Sequence, residues 1–190
     1  MKVPYILFYS MERAIEIEKY EEVCSEYSKY GSSIVLLKGM AENSYTEKIL
    51  QINYQLKMNT HILIESHRDM NNSIVDSYFG QISKAVYICK EFKQLESIKL
   101  AMKKCRILGI EFAIAFTDVQ NENNSDEEQR KKEKSNVVFD DITIREFMKC
   151  VSEGENINYF RIGADHSLIY GEETRILEKD NIIGSALFGT

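Results

Sequence analysis

Short apolar runs alternate with longer amphipathic stretches from the start of the chain to Phe116, and no feature restricts the fold more. Tyr5–Tyr9, Ser33–Leu37, His61–Glu65, Ala85–Cys89 and Glu111–Phe116 read as buried strands. The segments between them carry apolar residues at helical spacing. Arg13–Tyr30 places Ala14, Ile17, Tyr20, Cys24 and Tyr27 on one face and stops at Gly31. Ser44–Lys57 opens behind an Asn43 or Ser44 cap, with Glu47 three residues after Ser44. Asn72–Phe79 is a short helix, and Leu95–Leu108 a longer one ended by Gly109. Strands joined by crossover helices pair in parallel with right-handed connections. The expected fold is therefore α/β: a partial (βα) barrel or a doubly wound parallel sheet, with a small β-rich C-terminal extension.

That extension follows a change of character. The stretch NENNSDEEQRKKEKS contains no apolar residue and mixes both charge signs, so 120–136 reads as a charged, flexible surface loop. Beyond it Val137–Phe139 is a candidate sixth strand, and Thr143–Val151 a helix capped by Asp140 or Asp141. Tyr159–Ile162, Ser167–Tyr170 and Thr174–Leu177 read as short strands of a β-rich tail, with GADH and GEE as turns. The expected organisation is a βα-repeat body over 1–119, the charged loop over 120–136, and a last βα unit with the tail over 137–190.

A formal charge of −6, from 24 basic and 30 acidic residues, argues against nucleic acid as a partner, because counterion release needs a basic surface. Apolar runs such as Ile34–Leu37 are far shorter than the roughly 20 residues that span a bilayer, so no membrane association is expected. The N-terminal apolar run is too short for a signal peptide, which predicts a cytoplasmic protein. Cys24, Cys89, Cys105 and Cys150 include no CxxC pair and read as partly buried thiols serving as small apolar side chains; a metal site assembled from scattered positions is the alternative.

In parallel α/β folds ligands bind beyond the carboxyl ends of the strands. The third of these ends is the richest. ESHRD sets Glu65, Ser66, His67, Arg68 and Asp69 side by side, where a histidine near a carboxylate serves as general base or metal ligand and an arginine clamps a carboxylate or phosphate. The candidate catalytic set is His67, Asp69 and Glu65, and Arg68, Lys38, Glu42 and Asp118 are candidate ligand-binding residues. His61, at the strand start, reads as structural. His166 in GADHS matches a fragment of the arginase-family metal motif, but the chain has three histidines in all, so the segment reads as a hairpin turn. No GxGxxG, GxxxxGK[ST], HExxH or GxSxG occurs.

The order of elements over YEEVCSEYSKYGSSIVLLKGMAE, SYTEKILQINYQLKMNTHILIES and QISKAVYICKEFKQLESIKLAMKKCRILGIEFAIAFTDV resembles the central part of a radical SAM enzyme. The tail FRIGADHSLIYGEETRILEKDNIIGSALFG resembles the closing segment of a SPASM-type extension, found on family members that modify peptides. Lys38–Glu42 stands where the family's Gly-Gly-Glu-Pro-like loop holds the SAM amine, and Gly39 and Glu42 fit it. The family's CxxxCxxC loop would follow the first strand, where this chain reads SMERAIEIEKY; without those thiolates the four-iron cluster has no ligands. The auxiliary-cluster cysteines of the tail are missing too.

The resemblance therefore implies a cluster-less relative: a non-catalytic partner or pseudoenzyme, with no cofactor, that binds a peptide or partner subunit in a peptide-modification pathway. The alternative is a small α/β enzyme that uses the Glu65–Asp69 loop with Lys38 and Asp118 on a small anionic substrate. The apolar IIGSALFG predicts a homodimer or heterodimer contact if the tail does not bury it as a last strand.

Overall fold

The computed structural model describes residues 5–11, 14–29, 33–117, 140–152 and 154–162. The charged loop, the segment Val137–Phe139 and the tail beyond Ile162, with its GADH turn and IIGSALFG, lie outside these residues, as does Asp118.

Six strands form one sheet: β1 (Tyr5–Ser10), β2 (Ser33–Lys38), β3 (Asn59–Ile64), β4 (Lys84–Cys89), β5 (Glu111–Thr117) and β6 (Asn158–Ile162). All five pairings are parallel, and the spatial order β1-β2-β3-β4-β5-β6 is the chain order. A doubly wound sheet needs a reversal of strand order. None occurs among the described strands, so right-handed crossovers place the helices that join them on the same face, as in a barrel. Among the described residues no pairing joins β1 to β6.

Among the described residues five α-helices connect these strands: α1 (Ile17–Ser28), α2 (Ser44–Gln55), α3 (Ser73–Tyr78), α4 (Leu95–Leu108) and α5 (Asp141–Ser152). Alternate strand residues Leu7, Tyr9, Val35, Leu37, Ile62, Ile64, Tyr87, Ile114 and Phe116 join Tyr20 and Cys24 of α1, Ile49 and Leu50 of α2, Ile98 and Cys105 of α4, and Phe147 of α5 in a single core. The intervening residues Leu36, Leu63, Val86, Ala113 and Ala115 are buried on the opposite face. Burial on both faces explains why these strands read as continuous apolar runs rather than as an alternation.

Several element ends differ from the sequence reading. α1 starts at Ile17, four residues later than expected. The Ile15 backbone is bound to two tyrosines instead: its N–H donates to Tyr9 Oη at 3.1 Å and its C=O accepts from Tyr45 Oη at 2.8 Å. The two phenols also bond to each other. Asn43, not Ser44, caps α2, accepting from the Thr46 N–H. That helix ends at Gln55, because Lys57 adopts a φ of 56° and the Met58 N–H returns to the Asn53 carbonyl. Asp140 caps α5, with its Oδ1 accepting from the Thr143 N–H at 2.7 Å. Tyr159–Ile162, expected to open the tail, lies in the sixth parallel strand, alongside β5.

Candidate functional site

Beyond the carboxyl end of β3 the chain folds into one turn of 3-10 helix, His67–Met70, and its own side chains hold it there. Ser66 Oγ accepts from the Arg68 N–H at 3.2 Å, while Asp69 Oδ2 reaches back to the N–H groups of Glu65 and Ser66 at 2.8 and 3.2 Å. This reciprocal arrangement is a capping box. The carboxylate expected to assist an acid–base step is spent on the backbone of its own turn.

The neighbouring candidates are engaged in similar ways. Glu65 pairs with Lys90, at the end of β4, at 3.0 Å; both side chains are nearly half exposed, so the pair fixes geometry more than it stabilises. Among the described residues His67 bonds to a hydroxyl rather than a carboxylate: its Nδ1 lies 3.0 Å from Ser97 Oγ in the first turn of α4, and its backbone N–H donates to the same oxygen at 2.9 Å. Tyr87 Oη donates to Ser97 Oγ at 2.9 Å and accepts from Gln94 Nε2 at 3.4 Å. Burial raises the Tyr87 phenol pKa, so the phenol keeps its proton. Glu42 accepts from the Ser73 N–H at the start of α3 at 3.0 Å, and Asn72 Nδ2 donates to the Met40 carbonyl, so the loop after β2 is pinned to α3.

Lys38, Gly39 and Met40 from the end of β2, with Glu65 and Asp69 from the turn, line a cavity of about 140 Å³ floored by Ile62, Leu63 and Ile64. Gly39 has a φ of 76°, a backbone conformation that favours glycine where the loop leaves β2. The structure thus brings Lys38, Glu65 and Asp69 together, places Arg68 exposed on the turn, ties His67 to α4, and turns Glu42 toward α3. Ser97, Tyr87 and Gln94 escaped sequence reasoning. Their link to the turn crosses up to 30 residues, and the only local signal was the polar character of the first turn of α4.

All four cysteines are described, and they do not form a cluster site. Cys24, Cys89 and Cys105 are buried in α1, β4 and α4, and burial pushes their thiols up to about 11, 11 and 12. Cys150, expected to be partly buried, is exposed on α5, at the margin of the stripe in which Ile144, Phe147, Met148 and Val151 are buried. No group of three or more His, Cys, Asp or Glu side chains converges among the described residues. An iron–sulfur cluster does not fit this set of donors. His61 is buried beside Lys84 on the second face of the sheet, which lowers its pKa to about 4, chiefly through desolvation and secondarily through the lysine charge. Among the described residues no helix is long and apolar enough to cross a membrane.

No family model matches the chain. Nor does any curated protein match it. Solved structures do. The YdjI aldolase from Escherichia coli K12 matches with a TM-score of 0.50 and 13% identity, over 98% of this chain and 72% of that one. SuiB from Streptococcus suis matches with a TM-score of 0.49 and 14% identity, over 85% of this chain and 50% of that one. SuiB bound to S-adenosylmethionine gives 0.45 and 12%, over 86% and 48%. The likeness is one of fold. It is carried by YdjI and agrees with the barrel-like strand order; the chain spans about half the length of the SuiB structures.

Proposed function

We propose that this chain is a non-catalytic, radical SAM-like protein that binds a peptide or a partner subunit in a peptide-modification pathway, at the carboxyl edge of β2, β3 and β4. The observation that carries the reading is the fate of the acid–base candidates. Asp69 caps its own turn, Glu65 is paired with Lys90, Glu42 holds the start of α3, and His67 Nδ1 is bonded to Ser97. A general base must lie within hydrogen-bond reach of the proton it takes, and the orientation of each of these groups is set by its own scaffold. These groups instead build a fixed polar rim, with Lys38 and Arg68 as its remaining cations. The loop after β1 offers no cysteine, which supports a scaffold without the redox centre.

Anaerobic purification followed by iron and sulfide analysis tests the first half of the reading. The expected result is no bound cluster, whereas stoichiometric iron with a brown chromophore overturns it. The double variant His67→Ala/Arg68→Ala tests the second half: it stays folded, with a thermal stability lowered by no more than the lost Ser97 hydrogen bond, and loses binding to the cognate peptide or subunit. Size-exclusion chromatography with light scattering at two concentrations tests whether IIGSALFG makes a homodimer contact, which would appear as a concentration-dependent mass.

A further inference from the structure

Three hydrogen bonds converge on Ser97 Oγ, and counting their protons identifies the form of His67. A hydroxyl has one proton to donate and two lone pairs to accept with. The His67 backbone N–H can only donate, at 2.9 Å, so it takes one lone pair. Tyr87 Oη accepts from Gln94 Nε2, leaving its own proton for Ser97 Oγ at 2.9 Å, which takes the second. The remaining contact, 3.0 Å to His67 Nδ1, must then use the serine's proton. A proton on Nδ1 would bring three donors onto two lone pairs and leave the Ser97 proton without a partner.

We infer that Ser97 is a positioning residue that holds His67 as the neutral tautomer with its proton on Nε2. The chain of bonds that enforces this is continuous. Gln94 Oε1 accepts from the N–H groups of Lys90 and Glu91 at 2.8 and 3.0 Å, so its amide nitrogen is oriented toward Tyr87 and the Glu65 carbonyl. Tyr87 transmits that orientation to Ser97, and Ser97 to the imidazole. The turn after β3, the end of β4 and the first turn of α4 therefore share one network with a single proton arrangement. Two chemical consequences follow. With both lone pairs of Ser97 Oγ occupied, the Ser97–His67 pair is not a nucleophile–base dyad despite its spacing. A ligand that engages the imidazole meets an N–H donor at Nε2, so its own contacting atom is an acceptor, such as a peptide carbonyl or carboxylate. That last consequence rests on the binding role proposed above, whereas the tautomer does not.

Nitrogen-15 NMR of the imidazole in the ligand-free chain at neutral pH reads the tautomer directly. The expected spectrum has a protonated Nε2 and an unprotonated Nδ1. In Ser97→Ala the ratio of the two tautomers moves toward that of a solvated histidine, by a factor on the order of ten, the equivalent of one neutral hydrogen bond. Ser97→Thr, which keeps the hydroxyl, restores the wild-type ratio. Tyr87→Phe leaves a vacant lone pair on Ser97 and weakens the bias without abolishing it, so it provides a second measurement if Ser97→Ala fails to fold. A wild-type chain with its proton on Nδ1, or a ratio unchanged in both Ser97→Ala and Tyr87→Phe, overturns the inference. An Nε2–H tautomer in a chain that binds no peptide or subunit leaves the inference standing and refutes the binding role instead.

Discussion

His61 is expected to make the protein acid-sensitive in a defined window. The residue is 6% exposed, at the level where β3 meets Leu36 of β2 and Lys84 of β4. Burial, and then the Lys84 charge, lower its pKa from the ordinary 6.5 to about 4. The unfolded chain takes up a proton as pH falls through 6.5, while the folded chain resists doing so until about 4. The stability held by the neutral imidazole is therefore complete above the unfolded value and is lost progressively as pH falls from 6.5 to about 4. Each tenfold step of proton activity in that window costs about 1.4 kcal/mol, so the full loss is ~3 kcal/mol, of which about 2 kcal/mol is gone by about pH 5. Urea unfolding of wild type and His61→Gln at neutral pH and at about pH 5 isolates the effect, because glutamine does not titrate and all other groups cancel in the difference. The gap between the two proteins should change by about 2 kcal/mol, or roughly 4–8 °C in Tm for a chain of this size. Lys84→Met, which removes the second cause, should make the loss smaller. Parallel pH profiles for wild type and His61→Gln would refute the reasoning.

Other expectations follow from the packing. Asn53 accepts from Tyr20 Oη at 2.6 Å and donates to Thr60 Oγ1 at 3.1 Å with all three residues buried; Asn53→Ala strands two hydroxyls and should cost about 2–4 kcal/mol in chemical denaturation. Asp69→Ala removes the carboxylate that holds two backbone N–H groups of the exposed turn and should cost about 1 kcal/mol, with hydrogen-exchange protection lost at Glu65 and Ser66 first. Cys150 is exposed while the other three thiols are buried with raised pKa values, so a thiol reagent should modify one cysteine quickly in the native protein and all four after unfolding.

Where local chemistry governs an element, the sequence was enough. Leu95–Leu108 is bounded as expected because Gly109, at a φ of 72°, supplies the left-handed stop. β4 and β5 were legible because their apolar runs are short and bounded by polar residues. The start of α1 was not, since the competitors for the Ile15 backbone are Tyr9 and Tyr45, the latter 30 residues away. β6 was assigned to the tail because five residues of strand do not announce their partner. In the candidate site, the density of ESHRD and the position of Lys38 were visible in the sequence, but their engagement was not. Asp69 caps within its own turn, and a D three residues after S is a legible signal. The Ser97 bond to His67 and the Glu42 bond to Ser73 join residues 30 and 31 apart, and they form only once α4 and α3 are docked.

By itself the sequence determined the alternation of strand and helix, hence parallel pairing and the α/β class, and it determined that the loop directly after the first strand holds no cysteine. These are properties of neighbouring residues: side-chain periodicity, turn chemistry and the presence or absence of a ligand type. Tertiary structure alone decided that the sheet runs in chain order with its helices on one face, and that the acidic and imidazole groups of the third-strand turn are bound to their own scaffold. The reason is physical. A strand's periodicity records that its faces are buried, not which strand lies beside it, and a polar side chain's role depends on which donors and acceptors folding brings within hydrogen-bond distance.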